Sequence, residues 1–149
     1  MTLQERLIND MKDAMRQKEA ERLSVIRMIR AKIHNEEISK GSALDEDAIT
    51  EVITRMARQH RESIEQFRNG NRPDLVEKEE AELATVMNYM PEQMSSENIS
   101  SLVAQVITEV AATGPSDKGK VMGKLMPQVR GKADGNQVNT IVTTMLNAL

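Results

Sequence analysis

The chain has 149 residues, of which 29% are charged and 39% hydrophobic, and its net charge is −3. It contains no Cys, which excludes disulfides, thiolate metal sites and cysteine catalysis. No apolar run approaches the roughly 20 residues that a membrane span needs. The N-terminus is amphipathic and carries acids, unlike a signal peptide or a typical transit peptide, so a cytoplasmic location is expected. Because Phe67 and Tyr89 are the only aromatic residues, the core must be aliphatic, with some of the 11 Met residues filling it.

Four helices are predicted in the first part of the chain, because apolar residues recur there every three to four positions. Their approximate ranges are 2–17, 19–38, 46–69 and 73–90. The first carries a stripe that ends at Met15, and the third carries a stripe that includes His60. Asp45 is expected to cap the third helix, and Pro73 to open the fourth.

Pro91 disfavours helix at the preceding residue and marks the predicted domain boundary. The charge changes at about the same place: residues 1–94 hold 15 basic and 19 acidic side chains (net −4), and residues 95–149 hold 5 and 4 (net +1). Three short helices are predicted beyond the break, about 96–112, 116–126 and 134–148, with caps at Ser95 or Ser96, Ser116 and Asp134. The predicted fold is all-α, with a four-helix N-terminal domain (1–92) and a three-helix C-terminal domain (93–149).

Catalytic signatures are missing from this sequence. It has no P-loop, GxGxxG, HExxH or GxSxG pattern, and its two His residues, His34 and His60, fall on different predicted helices. His34 is interpreted as part of a polar helix end, and His60 as a half-buried core residue. The acids of "VEKEEAELA", residues 76–84, occupy successive helical positions and are expected to form a solvated face. No catalytic residue, metal ligand or cofactor is predicted.

The stretch "GKVMGKLMPQVRGKADG", residues 119–135, combines four of the seven glycines with four basic residues. On a helix, Gly119 and Gly123 form a strip between an apolar arc and two lysines, Lys120 and Lys124. Each mid-helix glycine costs about 1 kcal/mol relative to Ala, so the close approach of another backbone, either a partner helix or a phosphodiester chain, is expected to offset it. After Pro127, a glycine-punctuated loop leads to a helix N-terminus, which is a natural phosphate site.

Two interpretations of this stretch remain open. The glycines serve only internal packing and turns, or they expose the backbone to a nucleic acid beside cationic side chains. The C-terminal domain has no aromatic residue on which bases could stack, so recognition would depend on shape and phosphates. The candidate RNA-binding residues are Lys118, Gly119, Lys120, Gly123, Lys124, Arg130, Gly131 and Lys132.

The segment "GKVMGKLMPQVRGKADGNQVN", residues 119–139, resembles the YqeY family of the GatB/YqeY superfamily. "NRPDLVEKEEAELATVMNYMPEQMS" and "ERLSVIRMIRAKIHNEEI" are similar to other parts of that family, so the resemblance covers essentially the whole chain. It implies two helical domains, the second similar to the C-terminal tail domain of the B subunit of the tRNA-dependent amidotransferase. That tail domain is thought to contact the outer body of tRNA, whereas the transamidation sites lie elsewhere in that enzyme.

The resemblance therefore implies a non-catalytic module that binds tRNA or another structured RNA through its C-terminal domain. The alternative is a protein-interaction adaptor or an accessory subunit of an amidotransferase-type carbon–nitrogen ligase with glutamine as amido-N-donor. A Met-rich apolar surface patch would favour the adaptor, and a deep pocket with converging polar groups would favour an enzyme.

Overall fold

The computed structural model describes all residues from Met1 to Leu149 and contains seven α-helices and no strand, which confirms the all-α prediction. The chain divides into two compact units, Met1–Met90 and Pro91–Leu149. The helices of the first unit are α1 (Leu3–Arg16), α2 (Ala20–Lys40), α3 (Glu46–Asn69) and α4 (Pro73–Met87). Those of the second are α5 (Ser96–Glu109), α6 (Lys118–Val129) and α7 (Gly135–Asn147), with a short 3-10 turn, Pro115–Asp117, before α6.

Side-chain caps fix the beginning of several helices. Thr2 and Glu5 form a reciprocal capping box at the start of α1, and Asp45 accepts a hydrogen bond from the Ala48 amide at the start of α3. Ser95, one of the two serines expected there, accepts from the Asn98 amide and caps α5. These short polar side chains satisfy amide groups that have no partner inside the helix.

Two helices end earlier than predicted. Helix α4 stops at Met87 and the chain continues as a turn through Met90, since Pro91 disfavours helical backbone before it. Helix α5 stops at Glu109, and Ala111 then adopts a positive φ of 55°. A non-glycine residue in this conformation ends the helix abruptly. Helix α5 therefore ends three residues before the predicted limit.

The core of the N-terminal unit is drawn from all four helices and is largely aliphatic. It includes Leu7 and Ala14 of α1, Ile29 of α2, Ile53 of α3 and Val86 of α4. The stripe predicted for α1 is wrong at its end, because Met15 is 51% exposed while Ala14 is fully buried. A strict four-residue repeat runs about 40° ahead of the helical turn at each step, so after three turns the buried position falls one residue earlier than the repeat predicts.

The C-terminal unit has a simpler core, to which each helix contributes three aliphatic residues. These are Ile99, Val103 and Val106 of α5, Val121, Leu125 and Val129 of α6, and Val138, Val142 and Leu146 of α7. Each set recurs at three or four positions and so lies along one helix face. This arrangement leaves the opposite face of α6 free to meet solvent.

Candidate nucleic-acid interface

Helix α6 follows a turn that is held by Asp117. The Asp117 carboxylate accepts hydrogen bonds from the Thr113 amide (2.8 Å) and hydroxyl (3.2 Å). The hydrogen bond from the amide is the main reason that the pKa of Asp117 is lowered. Ser116 lies inside the 3-10 turn and not at the helix cap, so the predicted Ser116 cap is wrong. Because Asp117 faces backwards to Thr113, α6 begins without a side-chain cap.

Pro127 lies inside α6, which continues to Val129. The expected helix end at residue 126 is therefore wrong, and the loop begins three residues later. A proline within a helix removes one hydrogen bond and crowds the carbonyl four residues earlier. That carbonyl belongs to Gly123, whose missing side chain makes local adjustment easier.

The outer face of α6 carries Gly119, Lys120, Gly123 and Lys124, all of which are exposed. A Cβ atom built on either glycine would meet no atom within 4 Å outside its own helix backbone. Neither glycine therefore serves close packing within the chain, which removes the packing interpretation of this strip. The helix backbone is open to an external partner along this face.

Two acids of the same unit reduce the positive charge of this face. The Lys124 Nζ lies 2.8 Å from Glu109 Oε2, and the Lys120 Nζ lies 4.0 Å from Asp117 Oδ1. The hydrogen bond from Lys124 lowers the pKa of Glu109, so this carboxylate remains charged at neutral pH. Both lysines are exposed, and the ion pairs of exposed lysines exchange readily for other partners.

Arg130 and Lys132 are exposed and form no salt bridge. Between them, Gly131 has a φ of 78° and is buried, a backbone conformation that glycine adopts without strain. The Gly131 carbonyl accepts from Gln93 Nε2 (3.0 Å), and the Lys132 carbonyl accepts from the Met94 amide (2.8 Å). The loop is therefore an ordered turn that presents two cations. Lys118, the remaining candidate, is partly buried at the start of α6.

The N-terminus of α7 does not offer the phosphate site that the sequence suggested. Asp134 caps it as expected, with its carboxylate accepting from the Asn136 amide at 3.3 Å. This negative charge occupies the positive end of the helix dipole and repels an incoming anion. The candidate interface is therefore confined to the outer face of α6 and the two loop cations.

A second polar cluster lies in the N-terminal unit, where His60 is 9% exposed. Its Nδ1 is 2.6 Å from Glu79 Oε2 and 3.9 Å from Glu82 Oε2. The solvated face predicted for the α4 acids is wrong for Glu79 and Glu82, whose side chains are only 19% and 20% exposed. They were missed because the sequence does not give the register between α3 and α4.

This cluster supplies the one set of three ligand-type atoms within 4.8 Å of one another that includes a histidine and two carboxylates. Such a set is able to contact a divalent cation. However, the short contact between His60 and Glu79 already satisfies the buried ring nitrogen. Its evident role is to join α3 to α4 by a polar contact.

The family follows from comparison with known proteins. Residues 4–146 match the family described as Yqey-like protein. The chain belongs to the YqeY family. The resemblance based on the glycine–lysine segment is thereby confirmed, and in this YqeY chain the segment forms α6 and the turn after it.

Curated relatives of this YqeY chain bear the name "Altered inheritance of mitochondria protein 41, mitochondrial". One from Pyrenophora tritici-repentis is 34% identical over 146 residues, covering 96% of this chain and 80% of the relative. One from Lachancea thermotolerans is 36% identical over 113 residues, covering 74% and 60%. One from Saccharomyces cerevisiae is 27% identical over 145 residues, covering 96% and 78%.

These names contradict the expected cytoplasmic location, because each of the relatives is called mitochondrial. The expectation was wrong because it was drawn from the character of the first residues, which belong to the folded helix α1 and carry no information about compartment. None of the seven helices of this YqeY chain combines the length and apolar character of a bilayer-crossing segment.

Proposed function

We propose that this protein is a non-catalytic RNA-binding module whose C-terminal unit contacts tRNA or another structured RNA. The observation that carries the proposal is the outer face of α6, where Gly119 and Gly123 leave the helix backbone open between exposed lysines. A helix without side chains at these positions lets a phosphodiester backbone approach closely. Lysine ammonium groups beside it gain from phosphate contact through counterion release.

The loop after α6 extends this surface. Arg130 and Lys132 are free of intramolecular ion pairs, and their backbone is held in place by Gln93 and Met94. Contacts from an ordered loop lose less conformational entropy on binding than contacts from a mobile one. The four cations Lys120, Lys124, Arg130 and Lys132 suit a small phosphate footprint, with no base-stacking group nearby.

The experiment is the binding of deacylated tRNA to the full chain at two salt concentrations. A few phosphate contacts give a log–log salt slope of roughly −2 to −4. The double variant Lys120→Glu with Lys124→Glu is expected to weaken binding and to flatten this slope. Its matched control is Lys12→Glu with Lys40→Glu, which changes the net charge equally at exposed lysines of the N-terminal unit. Equal affinity of the α6 variant and the parent would refute the proposal.

Glu109→Gln provides a test in the opposite direction. It removes the carboxylate that pairs with Lys124 at 2.8 Å and frees this lysine for RNA. Affinity for tRNA is expected to rise several-fold at low salt, since one neutralising charge is lost. A fall in affinity with an intact circular dichroism spectrum would contradict the proposed role of Lys124.

The link to a tRNA-dependent amidotransferase depends on the resemblance of the C-terminal unit, and it defines the alternative of an adaptor or accessory subunit. The exposed large apolar side chains are Met1, Met15, Met28, Ile38 and Leu149, so the outer face of α6 offers no such side chain to an adaptor's partner. If the parent protein fails to bind tRNA at low salt but binds the amidotransferase, the adaptor replaces the RNA-binding module.

A further inference from the structure

A cavity of about 390 Å³ lies between α1 and α2 of the N-terminal unit, and none of the residues assigned to RNA lines it. Leu7 and Ile33, which are 0% and 3% exposed, contribute to its lining. Gln4 lies on the α1 side, and Arg27, Arg30 and His34 lie on the α2 side. Its volume is in the range of small-molecule sites, which combine an apolar surface with a few polar groups.

The two arginines of this cavity form no ion pair, whereas three other arginines of α2–α4 do; two arginines of α3 are also unpaired but lie outside the cavity. Arg22 contacts three carboxylates, and Arg55 and Arg68 each contact a glutamate. Arg27 and Arg30 form no salt bridge, although acids outnumber bases in this part of the chain. Their spacing of three residues makes them neighbours on the helix surface. Two adjacent guanidinium groups without a counter-ion attract an anion.

The one acid of the cavity lining, Glu37, is engaged elsewhere. Its Oε2 accepts a hydrogen bond from the Leu44 amide at 3.0 Å, in the segment that leads to α3. Arg30 makes only a weak contact from Nη1 to the Met11 sulfur at 3.2 Å. The donors of Arg27 and most of those of Arg30 are therefore available to a ligand.

We propose that this cavity binds a small organic phosphate monoester. Arg27 and Arg30 hold the phosphate, since the guanidinium group presents two parallel N–H donors that match phosphate oxygens. The organic part lies against the exposed Ala31, above the buried Leu7 and Ile33, and Gln4 and His34 supply hydrogen bonds to its polar edge. A concave site of this size suits a free small molecule better than the continuous backbone of a nucleic acid.

The experiment titrates the full chain with 5′-AMP, adenosine or inorganic phosphate while NMR follows the amide resonances of α1 and α2. Saturable binding of 5′-AMP at these helices is expected, with weaker binding of inorganic phosphate and none of adenosine. Arg27→Gln with Arg30→Gln is expected to weaken 5′-AMP binding at least about tenfold, the effect of losing charge-assisted hydrogen bonds. The matched control, Arg16→Gln with Arg58→Gln, alters exposed arginines outside the cavity and leaves binding unchanged.

Three results would overturn the proposal: equal binding of adenosine and 5′-AMP, no saturable binding of 5′-AMP at millimolar concentration, or an unchanged affinity in the Arg27/Arg30 variant. Binding of tRNA separates this site from the RNA interface. The Arg27/Arg30 variant is expected to bind tRNA as the parent does. Loss of tRNA binding in this variant, together with displacement of 5′-AMP by tRNA, would instead make the cavity an RNA contact.

Discussion

The two units of this protein use their polar side chains in opposite ways. In the N-terminal unit, partly buried polar contacts join one helix to another or to the segment that follows α4, as in His60 with Glu79 and Tyr89 with Asp10, both at 2.6 Å. In the C-terminal unit the buried core is entirely aliphatic, and the contacts Lys124–Glu109 and Gln137–Ser96 are largely exposed. The first unit places some of its polar side chains between helices, whereas the second keeps its polar contacts outside the core. Net charge alone therefore says little about which unit meets an anionic partner.

The largest effect is expected from a cavity in the C-terminal core. Leu125→Ala removes a fully buried side chain of α6 and is expected to cost about 2–5 kcal/mol, enough to unfold so small a unit. Tyr89 is the only tyrosine and lies in the N-terminal unit, so its fluorescence reports that unit alone. Helicity measured by circular dichroism should fall while the Tyr89 transition stays unchanged. A shift of the Tyr89 transition would show that the two units do not unfold separately, and exposed Gln128→Ala is the control.

The second effect tests the polar contact between α3 and α4. His60→Ala leaves Glu79 and Glu82 side by side without their partner, which is expected to cost about 1–3 kcal/mol. Urea unfolding followed by Tyr89 fluorescence gives the free energy directly. Glu77→Ala, an exposed acid of the same helix, should change it by less than about 0.5 kcal/mol. Equal effects of the two substitutions would mean that the His60 cluster stabilises nothing.

The third effect is a pH dependence of stability that Tyr89 gives to the N-terminal unit alone. Burial, and then the hydrogen bond to Asp10, raises the pKa of Tyr89 far above its ordinary value near 10. The unfolded chain therefore loses the tyrosine proton first, so the stability that Tyr89 contributes is complete below about pH 10 and is lost as the pH rises further. The free energy of unfolding of the N-terminal unit should fall by up to about 1.4 kcal/mol per pH unit above that point.

Tyr89→Phe is the control for this pH dependence. It removes the titrating hydroxyl while keeping the ring, so the component of the alkaline slope that belongs to Tyr89 should disappear. Since the variant has no tyrosine, unfolding is followed by circular dichroism in both proteins. An identical slope in the variant would assign the alkaline loss to other groups, such as the lysines.

The smallest effect is expected from replacing one glycine of each unit with alanine. Gly123→Ala is expected to stabilise the C-terminal unit by up to about 1 kcal/mol, because the new Cβ meets no atom within 4 Å outside the helix backbone. Gly70→Ala should give no such gain, since its Cβ would lie 3.3 Å from the Gln66 carbonyl oxygen. Thermal unfolding of both variants measures the difference. A destabilised Gly123→Ala variant would mean that Pro127 requires glycine at this position.

Local signals in the sequence predicted most of the fold. Asp45, Gly70 and Pro73 fixed the limits of α3 and the start of α4, because caps and breakers act through their immediate neighbours. The helix end predicted at Pro127 was wrong because it also relied on a local signal alone. A proline is a strong local signal, yet packing of Leu125 and Val129 on the core keeps α6 helical past it.

The polar contacts between helices could not be predicted. Whether Glu79 faces His60, or Lys124 faces Glu109, depends on the rotation and register of two packed helices, and the spacing within either helix does not contain this information. The position of the α6 glycine strip next to two lysines was predicted, but whether the strip packs against another helix or stays open was left undecided. Its partial neutralisation by Glu109 was not predicted, because that acid is contributed by α5.

The hydrogen bond between Tyr89 and Asp10 has a consequence for synthesis of the chain. Asp10 lies in α1, and its partner is translated 79 residues later, almost at the end of the N-terminal unit. Arg6 likewise donates a hydrogen bond to the Asn88 carbonyl, which lies 82 residues downstream. The first unit thus closes only when nearly all of it has been translated. The second, which makes none of these long-range contacts, is free to fold afterwards from neighbouring helices.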